Sequence, residues 1–227
     1  ATTLGETGGD AVSMSMDLGY LTATGIFAVI FLLAVGAQIV AKRFNPFLYW
    51  TTIIATTTLG TTLADFADRS LGIGYAGGTS LLFGLLIASL AVWYRTMGSV
   101  SVDTVSSPEA EMFYWVTIMC SQTLGTALGD WTADTAGLGY TGGAVVFSAL
   151  LALIVAAYYW TRSSRTALFW AAFILTRPLG AVVGDFLDKP ISAGGLALSR
   201  YSASAALLFF IVACLVLFRQ RAAIRSH

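Results

Sequence analysis

The sequence predicts an all-α, polytopic membrane helix bundle, and three observations carry that prediction. First, 57% of the residues are hydrophobic and only 11% are charged, whereas a soluble domain carries about 25% charged residues. Second, apolar runs recur along the chain at the length of roughly 20 residues that a spanning helix needs. Third, one motif returns four times. Its fullest copy runs from Tyr49-Trp50 through Thr57-Thr58-Leu59-Gly60-Thr61-Thr62-Leu63-Ala64-Asp65 to Leu71-Gly72-Ile73-Gly74-Tyr75 and Gly77-Gly78. A second copy, Tyr114-Trp115 to Gly143, keeps Thr123-Leu124-Gly125, Asp130 and Gly139-Tyr140. A third is looser, with Phe169-Trp170, Leu179-Gly180 and Asp185, and Gly195 where the others have Tyr. The opening residues, Thr2-Thr3-Leu4-Gly5 to Asp10 and Gly19-Tyr20, form the back of a fourth. In every copy the Asp lies five residues after the Gly, and where a Trp is present it lies fifteen after the Trp.

The spans are expected near 20–41, 45–67, 74–95, 110–133, 138–161, 166–188 and 196–218. Residues 1–16 share the helical pattern, but at 1.5 Å per residue they cover about 24 Å of a core about 30 Å thick. That segment reads as the rear of an eighth helix, whose front of roughly twenty residues is expected upstream by comparison with the other spans. It does not read as a signal peptide, since no basic stretch precedes an apolar run. Four parallel two-helix repeats follow, at 1–44, 45–98, 99–163 and 164–227, with a polar connection over 98–111. Asp10, Asp65, Asp130 and Asp185 are therefore 55, 65 and 55 residues apart. The longer middle spacing marks either a hinge between two halves or a solvated connector.

Basic residues mark alternate connections: Lys42-Arg43, Arg95, Arg162 with Arg165, and Arg219, Arg221 and Arg225. The intervening connections carry Asp17, Asp68-Arg69, Asp134 and Asp188-Lys189. The positive-inside rule puts the first set, and the C-terminus, in the cytoplasm. Trp50, Trp115 and Trp170 then fall at the cytoplasmic interface as ring anchors. Fifteen residues on, about 22 Å higher, the acids lie in the outer half of the membrane. Asp68, Asp134 and Asp188 read as solvated ends at the outer rim. Pro46 and Pro108 stand at helix starts, but Pro178 lies in mid-span and should free the carbonyl of Ile174 and kink its helix.

Several function classes are excluded. Net charge is zero, with twelve basic and twelve acidic residues, and no basic patch is interleaved with aromatics, so nucleic acid is not a partner. Cys120 and Cys214 lie inside apolar runs as packed thiols. His227 is the lone histidine, which removes histidine zinc sites and histidine general bases. No nucleophile–base pair can be assembled, and an enzyme is not expected. The glycine-rich turns lack the Lys-Ser/Thr of a phosphate loop.

What remains is one carboxylate per repeat. Such groups in a membrane face protein or water and cost about 2.5–3.5 kcal/mol each on insertion scales. Either Asp10, Asp65, Asp130 and Asp185 converge as cation or proton ligands, or each caps the glycine-rich turn after it. Glu6 precedes Asp10 by four residues, which places two carboxylates on one helix face. Two close carboxylates rarely both ionise without a cation or a shared proton. Thr61 and Thr126 hold the position of Glu6 in their repeats and are expected to assist. Arg177 stands where the other repeats have Thr57 and Gln122, as either a structural ion pair or a mobile counter-ion.

The tandem repeats with Trp50, Trp115 and Trp170 resemble a bacterial family of uncharacterised membrane-anchored proteins made of four two-helix repeats, each with a characteristic Trp. The resemblance implies the architecture and a place in the bacterial cytoplasmic (inner) membrane, but no activity. The functional expectation is a secondary transporter of a divalent cation, exchanged with protons and favouring export. Carboxylate ligands without His or Cys suit Mn²⁺, Mg²⁺ or Ca²⁺. Glu6, Asp10, Asp65 and Asp130 are the candidate metal ligands, with Asp185 beside them. The metal is substrate, and no cofactor is expected. The alternatives are a passive cation or proton channel down the pseudo-symmetry axis and a structural scaffold. The expected partners are the bilayer, a small cation and protons, with a homodimer left open.

Overall fold

The structure, a computed structural model, describes residues 1–41, 44–105 and 107–218. Lys42, Arg43, Arg219, Arg221 and Arg225, which helped set the expected orientation, lie outside the described residues. Among the described residues there are eight α-helices and no strand. They are α1 (Thr2–Asp10), α2 (Gly19–Val40), α3 (Pro46–Asp65), α4 (Gly74–Met97), α5 (Pro108–Asp130), α6 (Gly139–Trp160), α7 (Arg165–Asp188) and α8 (Arg200–Leu217).

Local chemistry starts the long inner helices in one way. Asn45 caps Phe47 and Leu48, with Pro46 at the first helical position. Ser107 caps Ala110, followed by Pro108, and Ser164 caps Ala167. A capping oxygen satisfies an N–H that the first turn leaves open, and proline has none to lose there. At the other end α1, α3 and α5 widen into π-turns at Ala11–Ser15, Phe66–Ser70 and Trp131–Thr135. Each π-turn begins directly after the repeat's Asp. The chain then reverses through left-handed residues, Asp17, Gly72 and Gly137. Repeat four differs. Its helix runs on to Asp188, and α8 starts only at Arg200-Tyr201. The counterpart of Tyr20, Tyr75 and Tyr140 at a helix start is therefore Tyr201, not Gly195, and Arg200 replaces the preceding glycine.

The helices fall into two layers. The inner layer is a ring in which α1, α3, α5 and α7 pack in that order and α7 returns to α1. Outside it, α2 lies on α3, α4 on α5, α6 on α7 and α8 on α1. The second helix of each repeat thus packs chiefly on the first helix of the next, so the repeats interlock. Five helices, α2, α4, α6, α7 and α8, are long and apolar enough to cross a membrane, and the chain is a multi-pass membrane protein. Residues such as Leu33 (70% exposed) and Phe209 (75% exposed) line the outer surface, which water would not tolerate over so wide an area. Helices α3 and α5 are as long but rich in threonine, and the ring hides their polar faces. Pro178 does not break α7, which is continuous from Arg165 to Asp188.

The motif glycine explains how the ring closes. A Cβ on Gly5 would meet Thr57 Cγ2 at 2.4 Å, and one on Gly60 would meet the Gln122 backbone carbon at 2.9 Å. On Gly125 it would meet Arg177 Cγ at 2.0 Å, and on Gly180 Thr2 Oγ1 at 2.1 Å. Each glycine therefore lies against the next repeat, and the fourth lies against the first. Small residues let helices approach this closely in lipid, where packing rather than water drives association.

The Trp end is a packed plug rather than a belt of anchors. Trp115 and Trp170 are buried, and Trp115 joins Ile53 and Ile118 with Tyr49, Trp50 and Phe173 around them. Trp170 packs edge-on against Trp93 and donates from Nε1 to the Val100 carbonyl at 2.9 Å. That bond ties the polar connection over 98–111 to repeat four.

Gly60→Ala is expected to lower stability by about 1–3 kcal/mol, because the contact is backbone and cannot swing aside. Gly25→Ala, with nothing within 4 Å, should be close to neutral. Thermal unfolding of the two variants in detergent checks both.

Candidate functional site

Because the ring is cyclic and its helices are parallel, equivalent residues of the four repeats form layers. Eight residues before the motif Asp come Thr2, Thr57, Gln122 and Arg177. Four before it come Glu6, Thr61, Thr126 and Ala181. The Asp layer itself is Asp10, Asp65, Asp130 and Asp185, and four beyond it come Met14, Arg69, Asp134 and Lys189. Glu6, Asp10, Asp65, Asp130 and Asp185, together with Thr61, Thr126 and Arg177, are all buried in the centre of the bundle.

The deepest ion pair is Arg177 with Glu6. Arg177 is wholly inaccessible, its stem crosses Gly125, and its Nη1 lies 3.1 Å from Glu6 Oε2. Its Nη2 donates to Thr61 Oγ1 at 2.5 Å and Thr126 Oγ1 at 2.6 Å. Both hydroxyls also lie within donating distance of Glu6 Oε2, at 3.1 and 3.2 Å. One side chain from each repeat meets here: Glu6, Thr61, Thr126 and Arg177. Arg177 is therefore paired with the acid of a neighbouring repeat, not with Asp185 on its own helix. Thr57 Oγ1, Ser121 Oγ, Gln122 Oε1 and Arg177 Nε have no hydrogen-bond partner here. Buried polar atoms in that condition are uncommon.

The Asp layer does not gather into one four-acid ring. Arg69 lies 3.2 Å from Asp65 and 3.2 Å from Asp130. Lys189 lies 2.7 Å from Asp10 and 3.0 Å from Asp185. Each cation thus bridges its own repeat to the next one, two to three and four to one. Those are the two seams between residues 1–98 and 99–227. The helices repeat four times, but the charges are arranged two by two. Asp10, Asp65 and Asp130 make no capping bond to the turns that follow them. Glu6 and Asp10, on one helix face, are served by different cations in different layers.

Further residues belong to the site. Arg69 and Lys189 stand four residues after an acid, a helical ion-pair spacing, but the sequence placed them only in the outer connections. Tyr20 accepts from Arg69 at 3.0 Å, and Arg69 also lies over the Tyr20 and Tyr75 rings. Asp68 and Asp188 are buried, at 6% and 9% exposure, whereas Asp134 is exposed as expected of a solvated end. Arg200 pairs with Asp188 at 2.5 Å and reaches Asp10 at 3.7 Å. Burial works against the Lys189 ammonium, but Asp185 and Asp10 outweigh it and raise its pKa. It stays charged throughout the neutral range.

A family model described as Repeat of Unknown Function (DUF347) matches the chain at residues 1–44, 48–99, 113–164 and 168–222. The chain belongs to this repeat family. No curated protein and no solved structure matches it. The four matched segments of this DUF347 protein each bring one motif Gly and one motif Asp to the ring, while Arg177, Arg69 and Lys189 belong to single repeats.

Removing one partner of a buried pair leaves the other charge uncovered, at about 3–5 kcal/mol. Arg177→Met should lose stability on that scale. The Glu6→Gln/Arg177→Met double variant should recover about 1–3 kcal/mol of it, measured as coupling in a double-mutant cycle. A second prediction concerns Asp68, whose two carboxylate oxygens accept no hydrogen bond. Burial pushes its carboxyl up to about 6, against the pull of Arg69. A folded pKa above the unfolded value means the ionised form is disfavoured, so the penalty exists above pH 6 and vanishes as pH falls below the unfolded value. Asp68→Asn should therefore stabilise at pH 8 by on the order of 1 kcal/mol, after discounting for solvent screening, and do nothing at pH 4.

Proposed function

We propose that the protein is a secondary transporter of a cation, a divalent metal ion exchanged for protons, with export the direction an inward proton gradient would drive. One observation carries this reading. The central column holds five buried carboxylates, Glu6, Asp10, Asp65, Asp130 and Asp185, against three cationic side chains, Arg177, Arg69 and Lys189. Two negative charges are left over. Uncovered charge in a low-dielectric interior is relieved by taking up protons or a cation. A group of sites that alternates between the two is what coupled exchange requires. Oxygen donors alone favour a hard ion such as Mn²⁺ or Mg²⁺. The unpartnered atoms of Thr57, Ser121 and Gln122 extend this polar column toward the Trp end. A passive channel fits less well, because Arg177 and Glu6 fill the centre and the aromatic plug closes the end beyond them.

The test is flux in proteoliposomes of the purified full chain. An imposed pH gradient should drive saturable Mn²⁺ movement and counter-movement of protons. Asp65→Asn/Asp130→Asn should reduce the rate at least about tenfold. Current that follows voltage without proton movement, or no Mn²⁺ movement at all, would reject the reading.

A further inference from the structure

We infer that the divalent ion binds at the seam between repeats four and one, on Asp10, Asp185 and Asp188, in the place now held by the Lys189 ammonium. This deepens the transporter reading and rests on it for the ion's role, but not for the site's existence.

The two seams are alike in plan and unlike in chemistry. At each, one cationic side chain sits between two motif acids. At the Lys189 seam, one oxygen from each of Asp10, Asp185 and Asp188 lies within 4.8 Å of the others. Three carboxylate oxygens that close surround one ion, with water completing the shell. No such group forms around Arg69 among the described residues. An independent observation points to a ligand. The Asp188 side chain is 1% exposed, and although Arg200 holds its Oδ2, its Oδ1 is buried with no hydrogen-bond partner. The site also already binds a cation, since Lys189 Nζ makes contacts of 2.7 and 3.0 Å with two of the three acids.

Charge decides between the occupants. Three carboxylates with Lys189 and Arg200 leave one negative charge uncovered. Replacing the ammonium by a divalent ion, with Arg200 kept on Asp188, leaves none. Lys189 is able to yield its place, for its side chain is already 13% exposed at the acid end of the bundle, on a flexible four-carbon stem. The surface opens next to Asp188. An open depression of about 360 Å³ lies between Ser15, Asp188, Ser199, Arg200 and Tyr201, in the extended connection that repeat four has and the other repeats lack. Lys189 then acts as a tethered competitor. It covers the acids when no ion is present and clasps the two halves together, and the ion must displace it.

Mn²⁺ binding to the purified full chain, read from the loss of the free-ion EPR signal, tests this. Lys189→Met should tighten Mn²⁺ binding at least about tenfold, and adding Asp188→Asn should abolish the gain. Arg69→Met, at the other seam, should not tighten it. If the Met variant fails to fold, Lys189→Gln carries the same expectation. Unchanged affinity on loss of the ammonium, or a gain that survives Asp188→Asn, overturns the site. Mn²⁺ flux together with that result would leave the transporter reading standing. Tightened binding without flux would do the reverse.

Discussion

The structure depends on four close approaches between parallel helices. Gly5, Gly60, Gly125 and Gly180 each take the place of a side chain at the crossing onto the next repeat, and the last crossing returns to the first. In lipid there is no hydrophobic drive between helices, so contact distance and polar bonds carry association. The glycines bring backbones together, and the residue eight before each motif Asp fills the space against them. Where that residue is threonine or glutamine, the contact is packing. Where it is Arg177, a guanidinium is carried into the centre of the bundle, and Glu6 meets it there.

The charges follow from that geometry. A ring of equivalent helices brings equivalent side chains together whether or not they suit one another, and four like carboxylates in one layer would repel. Divergence between repeats resolves this: Arg69 and Lys189 each stand one turn beyond the Asp layer and hold two acids apiece. The bridges fall at the seams between halves, so a four-fold scaffold carries a two-fold set of ionic clasps.

The interlocked layers also divide the labour with the bilayer. The outer helices α2, α4, α6 and α8 meet lipid over most of their surface, while threonines on α3 and α5 donate to carbonyls four residues earlier in their own helices and face inward. A threonine so satisfied adds a polar lining at little cost. Thr61 and Thr126 go further, standing between Arg177 and Glu6.

The sequence by itself determined the class, the helix positions and the recurring acid, because these are set by local hydropathy and by a spacing copied four times. Asp65 and Arg69, like Asp185 and Lys189, stand at a helical ion-pair spacing, but their place in the outer connections hid the pairing. Only the tertiary structure decided which acid meets which cation. Pairing across repeats depends on how far each helix is turned and shifted against the next, and no spacing within one helix records that. For the same reason Asp188 read as a solvated end: its burial comes from α8 and the connection folding over it, contacts made by residues eight to twelve positions away. The tryptophans misled in the opposite sense. An aromatic near a helix start suits an interface equally well from outside or inside the bundle, and only the packed ring turned Trp115 and Trp170 inward.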